Sequence, residues 1–201
     1  FLEGRKLFYG SVPFHWGVLF IFCGHLIAFL IPRTVLAWNS QPVRLLILEI
    51  SAFIFGISML VGLVNLFIRR YTTPRLYPVT NKMDFVVYVL LILQTFTGLW
   101  IAYNFRWGSS WFSTLLSPYL NSIFKLNPDI TAVVLLPWTV KLHIAGAFII
   151  IGILPFSRLI HMLVLPLNYI WRPYQQVMWY WDRKKVRNRK TPWSLRRPKN
   201  T

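Results

Sequence analysis

Acidic side chains are scarce in this sequence. Five Asp or Glu residues accompany 22 Lys or Arg residues, and the formal net charge is +17. Hydrophobic residues make up 56% of the chain and aromatic residues 17%. A chain this apolar, with so few residues that could form ion pairs, does not have the composition of an ordinary soluble domain. The composition therefore predicts a protein embedded in a membrane.

The excess of positive charge raises the alternative of a nucleic-acid-binding protein. However, the basic residues flank apolar runs and crowd the C-terminal end of the chain. In a nucleic-acid surface they would interleave with aromatic side chains on a soluble fold. We therefore expect no nucleic-acid partner, and we expect these charges to contact membrane lipid or a partner at the membrane surface.

Cysteine is almost absent, since Cys23 is the one cysteine in the sequence. One cysteine excludes an internal disulfide, and without a CxxCH motif the chain has no site for covalent attachment of haem. Any haem in this protein is therefore expected to be the non-covalent b type. We interpret Cys23 itself as a small apolar residue packed in a helix.

Four apolar runs have the length of about 20 residues that an α-helix needs to cross a membrane. They occupy residues 12–31, 45–68, 85–105 and 139–165. Backbone amides in hydrocarbon must be paired within their own segment, which favours helices, and the short alternating segments of a barrel are not seen. We predict an all-α integral membrane helical bundle with four visible transmembrane helices, the fourth bent at Pro155.

Residues 106–138, between the third and fourth runs, are rich in tryptophan, serine and proline. Within them, residues 112–124 are predicted to form a short helix in the plane of the membrane surface. This segment is either a cover over a lipid-soluble substrate or a plain interfacial connector. Glu49, near one end of the second run, is predicted to lie at an interfacial turn, with proton handling as the alternative.

Lysine and arginine are more frequent in the loop 69–82, in the N-terminal piece and in the tail 172–201 than in the two opposite loops. Because basic loops stay on the cytoplasmic side, both ends of the given sequence are predicted to face the cytoplasm. The basic tail would then lie along anionic lipid or along a cytoplasmic partner.

All four histidines lie in two of the apolar runs, His15 and His25 in the first and His143 and His161 in the fourth. These runs are antiparallel in the predicted topology. His15 is therefore level with His161 toward the cytoplasm, and His25 with His143 toward the outer side. The separations within each run correspond to about 15 and about 27 Å of helix. We attribute the mismatch to tilt and to the bend at Pro155.

A single histidine in an apolar helix is usually a hydrogen-bonded core residue, but four that match in depth indicate shared cofactors. Gly24 and Gly146 are small enough to let a macrocycle approach. Zinc fits less well, because no carboxylate or thiolate cluster completes a tetrahedral site around either pair. Two stacked haems, each held by two histidines, are the first hypothesis. Such iron has no open position, which suits electron transfer.

Two basic residues near these histidines support the hypothesis. Lys141 and Arg158 precede His143 and His161 by two and three residues, inside or at the edge of the fourth run. An unpaired cation would be costly there. We predict that both pair with haem propionates, with snorkelling to the lipid headgroups as the alternative.

Several motifs point to a family when they are taken together: FHWGVLFIFCGH, IRRYTTPRL, KLHIAG and PFSRLIHMLVLPLNYIWRPYQ. With these motifs the sequence resembles the membrane cytochrome b (gamma) subunit of respiratory nitrate reductase. The resemblance implies two haem b groups, the inner one ligated by His15 and His161 and the outer one by His25 and His143. It also implies quinol oxidation near the outer face. Electrons then pass to an iron–sulfur subunit and on to a molybdenum catalytic subunit.

The sequence departs from the family at two points. The family has one more helix before the histidine-bearing one, so we expect a further N-terminal helix that is missing from the given chain. A lysine that the family places near the quinol has no clean counterpart here. Arg44 is the nearest basic residue and is the candidate quinol contact. No catalytic residue is assigned.

We therefore predict a di-haem b transmembrane domain at residues 1–171 and a basic cytoplasmic tail at residues 172–201 that contacts a partner subunit. The predicted protein is the quinol-oxidising electron-transfer subunit of a quinol:nitrate oxidoreductase complex in the prokaryotic cytoplasmic membrane. It has no terminal reductase site of its own. The alternatives are a related haem b subunit of a nitrite oxidoreductase or of a sulfur-compound or disulfide reductase, and a haem-free histidine-containing transporter or membrane anchor.

Overall fold

A computed structural model of the chain describes residues 4–163. The end of the fourth apolar run and the predicted basic tail at residues 172–201 lie outside the described residues. The described residues form helices and turns without β-strands. The α-helices in this part of the chain are α1 (Gly4–Leu30), α2 (Pro32–Asn39), α3 (Pro42–Thr72), α4 (Lys82–Asn104), α5 (Gly108–Trp111), α6 (Ser117–Phe124), α7 (Thr131–Val134) and α8 (Trp138–Ile153). A π-helix, Phe112–Leu116, joins α5 to α6. Three 3₁₀-helices are also present in this part of the chain: Pro74–Val79, Leu154–Phe156 and Arg158–Met162.

Four of these segments are long and apolar enough to cross a membrane: Leu7–Leu30, Pro42–Thr72, Lys82–Asn104 and Trp138–Phe156. Large apolar side chains are exposed along all four, for example Leu19, Ile54, Leu93 and Ile149. Lipid is the solvent that suits such surfaces, and helices satisfy their own backbone groups within it. The all-α membrane bundle with four visible transmembrane helices is confirmed.

The transmembrane helices pack in chain order, with α1 against α3, α3 against α4, and α4 against α8. Glycines bring α1 and α3 close together. A Cβ on Gly17 would lie 2.6 Å from Met59 Cβ, and a Cβ on Gly62 would lie 2.5 Å from the backbone nitrogen of Phe14. In a membrane, close packing of this kind is a main source of helix association, since lipid covers apolar side chains as well as protein does.

Replacing Gly62 with leucine should force α1 away from α3, because the nearest atoms are backbone atoms that have no rotamer to change. Overpacking of a tight contact costs about 1–3 kcal/mol and occasionally more. We expect a lower thermal unfolding temperature for the purified protein in detergent. The matched control is Gly152→Leu, since a Cβ on Gly152 meets nothing within 4 Å. Equal unfolding temperatures for the two variants would contradict this account of the α1–α3 contact.

The fourth apolar run is not one bent helix, and that prediction is wrong. The α-helix α8 ends at Ile153, and Pro155 lies in the 3₁₀ segment that follows. Ser157 is extended, with φ −120° and ψ 172°, and His161 lies on a separate 3₁₀-helix. Proline lacks the amide proton and crowds the preceding turn, which ends the helix here. The helical rise assumed between His143 and His161 therefore does not apply.

The segment between α4 and α8 is helical from residue 108 to residue 124, which confirms the short helix predicted at residues 112–124. It is fastened to three other helices. The Glu49 carboxylate of α3 accepts hydrogen bonds from the Ser109 amide at 3.0 Å and hydroxyl at 2.7 Å. Asn39 of α2 donates to the Ser109 hydroxyl, and the buried Ser117 hydroxyl donates to the Ala28 carbonyl of α1. Glu49 therefore anchors this connector to α3.

Candidate functional site

The structure brings the rings of His15 and His161 close together, and their pairing as ligands of one cofactor, like that of His25 with His143, stays a prediction. The imidazole rings of His15, on α1, and His161, on the last 3₁₀-helix, have centroids 6.4 Å apart and planes inclined by 58°. His25 lies further along α1, and His143 lies on α8. Each pair thus joins two segments that are distant in sequence.

The spacing of the first pair can be compared with what a shared metal ion requires. Metal–imidazole bonds are about 2 Å long, so two imidazoles bound through their ring nitrogens to opposite sides of one metal have ring centres about 6 Å apart. The measured 6.4 Å between His15 and His161 fits this requirement. The inclination of the planes does not affect the fit, since each ring can rotate about its metal–nitrogen bond.

The hydrogen bonds of the histidines determine which ring nitrogen is available. In three of them Nδ1 lies within 2.8 Å of a backbone carbonyl oxygen about one turn earlier. These bonds are His15 to Ser11 at 2.7 Å, His25 to Ile21 at 2.8 Å and His161 to Arg158 at 2.7 Å. A carbonyl oxygen only accepts, so Nδ1 carries the proton and Nε2 keeps its lone pair. This is the arrangement in which a metal-binding histidine is normally held.

His143 has different partners, all on α4. Its Nδ1 lies 2.9 Å from the Thr97 hydroxyl, and its Nε2 lies 3.3 Å from the Gln94 amide nitrogen. The same amide nitrogen donates to the His143 carbonyl oxygen at 3.0 Å. Gln94 and Thr97 were not identified from the sequence. The available signal was that Gln94, Thr97 and Gly98 share one face of an apolar transmembrane helix, where polar groups are costly and need partners.

The connector reaches the second pair. The His25 ring packs edge-on against Phe112, with centroids 5.3 Å apart and planes at 84°. Phe112 opens the π-helix, a distortion that is frequent at functional sites. Of the two glycines singled out for close approach, Gly24 would have nothing within 4 Å of an added Cβ. Gly146 instead leaves room for the Gln94 side chain, since its Cβ would overlap Oε1 of that residue.

Arg158 is bound to protein groups at the opposite end of the bundle. Its Nε lies 3.1 Å from Oδ1 of Asp84, and its Nη2 donates to the Val79 carbonyl. Asp84 also accepts a hydrogen bond from Arg70 at 2.5 Å. The segment that carries His161 is therefore connected to the start of α4 through Arg158. The pairing of Arg158 with a haem propionate stays a prediction.

Lys141 and Arg44 each contact a group other than the four histidines. Lys141 donates to the Val134 carbonyl at the end of α7, at 2.8 Å. The Arg44 guanidinium lies 5.0 Å above the Trp38 ring, a cation–π contact between α3 and α2. The propionate contact of Lys141 and the quinol contact of Arg44 stay predictions.

No group of three or more His, Cys, Asp or Glu side chains that could hold a metal ion lies within residues 4–163. In this part of the chain, ligand sets drawn from these side chains therefore hold at most two members. A protein zinc site needs three or four protein ligands, whereas the porphyrin of a haem supplies four nitrogens and leaves two axial positions for histidine. The donor sets of this chain fit haem.

Residues 1–180 match the family model described as nitrate reductase gamma subunit. The nitrate reductase gamma chain of Bacillus subtilis (strain 168) is 30% identical over 176 residues, which cover 86% of this chain and 79% of that protein. The nitrate reductase-like protein NarX of Mycobacterium tuberculosis (strain CDC 1551 / Oshkosh) is 28% identical over 184 residues, 86% of this chain and 27% of its own length. The respiratory nitrate reductase 2 gamma chain of Escherichia coli (strain K12) is 28% identical over 180 residues, 88% of this chain and 79% of its own.

Proposed function

The chain belongs to the nitrate reductase gamma subunit family, and from that premise we propose that it is the di-haem cytochrome b subunit that oxidises quinol for a nitrate reductase. In this proposal the electrons leave toward an iron–sulfur subunit and then a molybdenum catalytic subunit on the cytoplasmic side. The chain itself is an integral membrane protein and performs only the quinol half-reaction.

The observation that carries the proposal is the facing of His15 and His161, with ring centroids 6.4 Å apart. Both present an Nε2 lone pair while a backbone carbonyl holds the Nδ1 proton. Haem b held between two histidines supplies one-electron transfer, because no iron position is open for a substrate. His25 and His143 form the second pair, ten residues further along α1, or about 15 Å of helix rise.

In this proposal the quinol binds beside the second pair, His25 and His143. Phe112 packs on His25 there, and Glu49 and Ser117 fasten the connector across α3 and α1. Phe112 covers one side of the His25 ring, and in this proposal the quinol approaches the pair from the membrane. Arg44 is retained as the candidate polar contact for the quinol, and Lys141 and Arg158 as candidate partners of the propionates.

The orientation follows from the distribution of positive charge. The end of the bundle that carries Arg70 and Asp84 faces the cytoplasm in this proposal, since the basic loops gather there. The connector and the second histidine pair then lie toward the outer face. The basic tail at residues 172–201, outside the described residues, contacts the partner subunit.

The test is a redox titration of the purified protein, produced with an ample supply of haem. We expect a reduced-minus-oxidised spectrum with two b-type waves and two haems per chain, and reduction by a quinol analogue. A colourless preparation would refute the proposal and favour the transporter or membrane anchor. A single wave with one haem per chain would refute the binding of a second haem by His25 and His143.

A further inference from the structure

His143 packs against one face of α4. Gln94, Thr97 and Gly98 are spaced by three and four residues, and such positions lie on the same side of a helix. Thr97 Oγ1 lies 2.9 Å from Nδ1 of His143, and a Cβ on Gly98 would lie 3.0 Å from Cε1 of the same ring. The imidazole of His143 therefore lies between the Thr97 hydroxyl and the α4 backbone at Gly98, where there is no side chain.

The direction of the hydrogen bond follows from the other contacts of Thr97. Its hydroxyl has a single proton, and Oγ1 lies 2.8 Å from the Leu93 carbonyl oxygen and 3.1 Å from that of Gln94. Since both carbonyls only accept, the hydroxyl proton points to them. The remaining lone pairs of Oγ1 accept the proton on Nδ1 of His143, so Nε2 of that ring is left unprotonated.

A metal on Nε2, the other ring nitrogen, would take the lone pair that faces the Gln94 amide. The Gln94 amide nitrogen lies 3.3 Å from Nε2 but 3.0 Å from the His143 carbonyl oxygen. The amide therefore keeps a shorter bond, to the carbonyl, when Nε2 binds a metal. Gln94 supports the backbone of His143, while Thr97 determines the tautomer and the plane of its ring.

His143 differs from the other three histidines in one respect that can be tested. His15, His25 and His161 place Nδ1 within 2.8 Å of a backbone carbonyl, with the Ser11 hydroxyl as a second neighbour of His15 at 3.1 Å, whereas the Nδ1 partner of His143 is a side chain alone. A mutation that keeps the shape of α4 can therefore delete this one bond. Hydrogen bonds to the second ring nitrogen of a metal-bound histidine raise its basicity, and their loss typically lowers metal affinity about 10–100-fold.

We propose that Thr97 is a positioning residue for His143 that sets the affinity and the midpoint potential of the outer haem, an inference that rests on the proposed function. A more basic imidazole favours the oxidised iron, so the hydroxyl of Thr97 keeps the outer potential lower than it would otherwise be. The inner pair, whose Nδ1 protons are held by the carbonyls of Ser11 and Arg158, is unaffected by this side chain.

The experiment compares Thr97→Val with wild type in the purified complex. The outer wave of the redox titration is assigned as the one that a His25→Ala variant loses. We expect Thr97→Val to raise the midpoint of that wave, to weaken haem binding there about tenfold, and to leave the inner wave in place. Thr97→Ser, which keeps the hydroxyl, should restore both properties.

Thr95→Val is the matched control. Thr95 is on the same helix, and its hydroxyl donates to the Leu91 carbonyl at 2.7 Å in the same way, but it lies outside the face that holds His143.

The proposal is overturned if Thr97→Val moves neither wave or both equally, or if Thr95→Val shifts the outer wave as much. Selective loss of the outer haem in Thr97→Val, with recovery in Thr97→Ser, supports it; loss that the serine variant does not reverse counts against it. A wild-type protein without haem would refute the proposed function itself, whereas two haems with an unmoved outer potential would refute only the role of Thr97.

Discussion

Replacing His143 with alanine should leave one haem per chain instead of two and reduce quinol-driven nitrate reduction to background. Haem held by two histidines loses an axial ligand, and His25 alone would hold it weakly. The inner pair is made by α1 and the last 3₁₀-helix, with rings 6.4 Å apart, and does not depend on His143. The inner haem should therefore keep its midpoint potential.

The pairing itself is tested by the pattern across four single alanine variants. Variants of His25 and His143 should lose the same wave of the redox titration, and variants of His15 and His161 should lose the other. Rates measured with a soluble electron donor that feeds the catalytic subunit directly should be unchanged in all four. Cys23→Ala is the control, since Cys23 is an exposed neighbour of His25 on α1. If His25 and His161 variants lost the same wave, the assignment of pairs would be wrong.

Much of the bundle could be predicted because the membrane imposes its own rules. Runs of about 20 apolar residues have few structures open to them in hydrocarbon, and all four predicted spans are present. The topology then placed His15 beside His161, since antiparallel helices with known ends leave little freedom in depth. That pairing needed the charge counts and the order of the spans, both of which are read directly from the sequence, whereas the rise assumed along the fourth run did not apply because α8 ends at Ile153.

The end of the fourth helix could not be predicted in the same way. A proline in a transmembrane helix can kink it or end it, and the choice depends on whether neighbours satisfy the freed backbone groups. Here the backbone turns into 3₁₀ structure at Leu154 and becomes extended at Ser157. The sequence shows Pro155 but not the neighbours that decide between the two outcomes.

The partners that His143 and Arg158 have in the structure could not be predicted, for a related reason. Thr97 meets His143, and Asp84 meets Arg158, through contacts between segments that are 46 and 74 residues apart in the chain. A single sequence carries no record of such contacts. A threonine in a helix is ordinarily bonded to its own backbone, as Thr97 also is, so the polar face that it shares with Gln94 indicates that a partner exists but not that the partner is His143.

Asp84 is the residue whose loss should most destabilise the end of the bundle that is proposed to face the cytoplasm. It is the third residue of α4, and Asn81 and Asp84 form a capping box in which each side chain bonds the backbone amide of the other. Its carboxylate also accepts from Arg70 at 2.5 Å and lies 3.1 Å from Nε of Arg158. The Asp84 side chain is 8% exposed and that of Arg70 15%.

The two arginines do not contribute equally. Arg158 is 60% exposed, and a pair of this kind is worth about 0–1 kcal/mol because water screens it. Arg70 is nearly buried, and removing the partner of a buried charge costs about 3–5 kcal/mol because the remaining charge is left without compensation. The loss of Asp84 should therefore act on stability mainly through Arg70.

We expect Asp84→Ala to lower the free energy of unfolding by about 3–5 kcal/mol, with a lower unfolding temperature in detergent and less folded protein in the membrane. Asp84→Asn should be milder, since an amide oxygen still caps α4 while the charge is lost. Asp129→Ala is the control at an exposed carboxylate, which accepts from Thr131 at the start of α7, and it should leave the unfolding temperature unchanged.

The Asp84→Ala variant should also affect the two haems differently. Arg158 lies three residues before His161 and is held by Asp84 and by the Val79 carbonyl, so removing Asp84 loosens the segment that presents this ligand. The inner wave of the redox titration should then be lost on mild heating before the outer one, whose histidines lie on α1 and α8. Arg158→Ala should reproduce the loss of the inner haem with little loss of stability, because its ion pair is solvent-screened. If Asp84→Ala released both haems together and Arg158→Ala released neither, Asp84 would be a stabilising residue only, and His161 would be held by its own 3₁₀-helix.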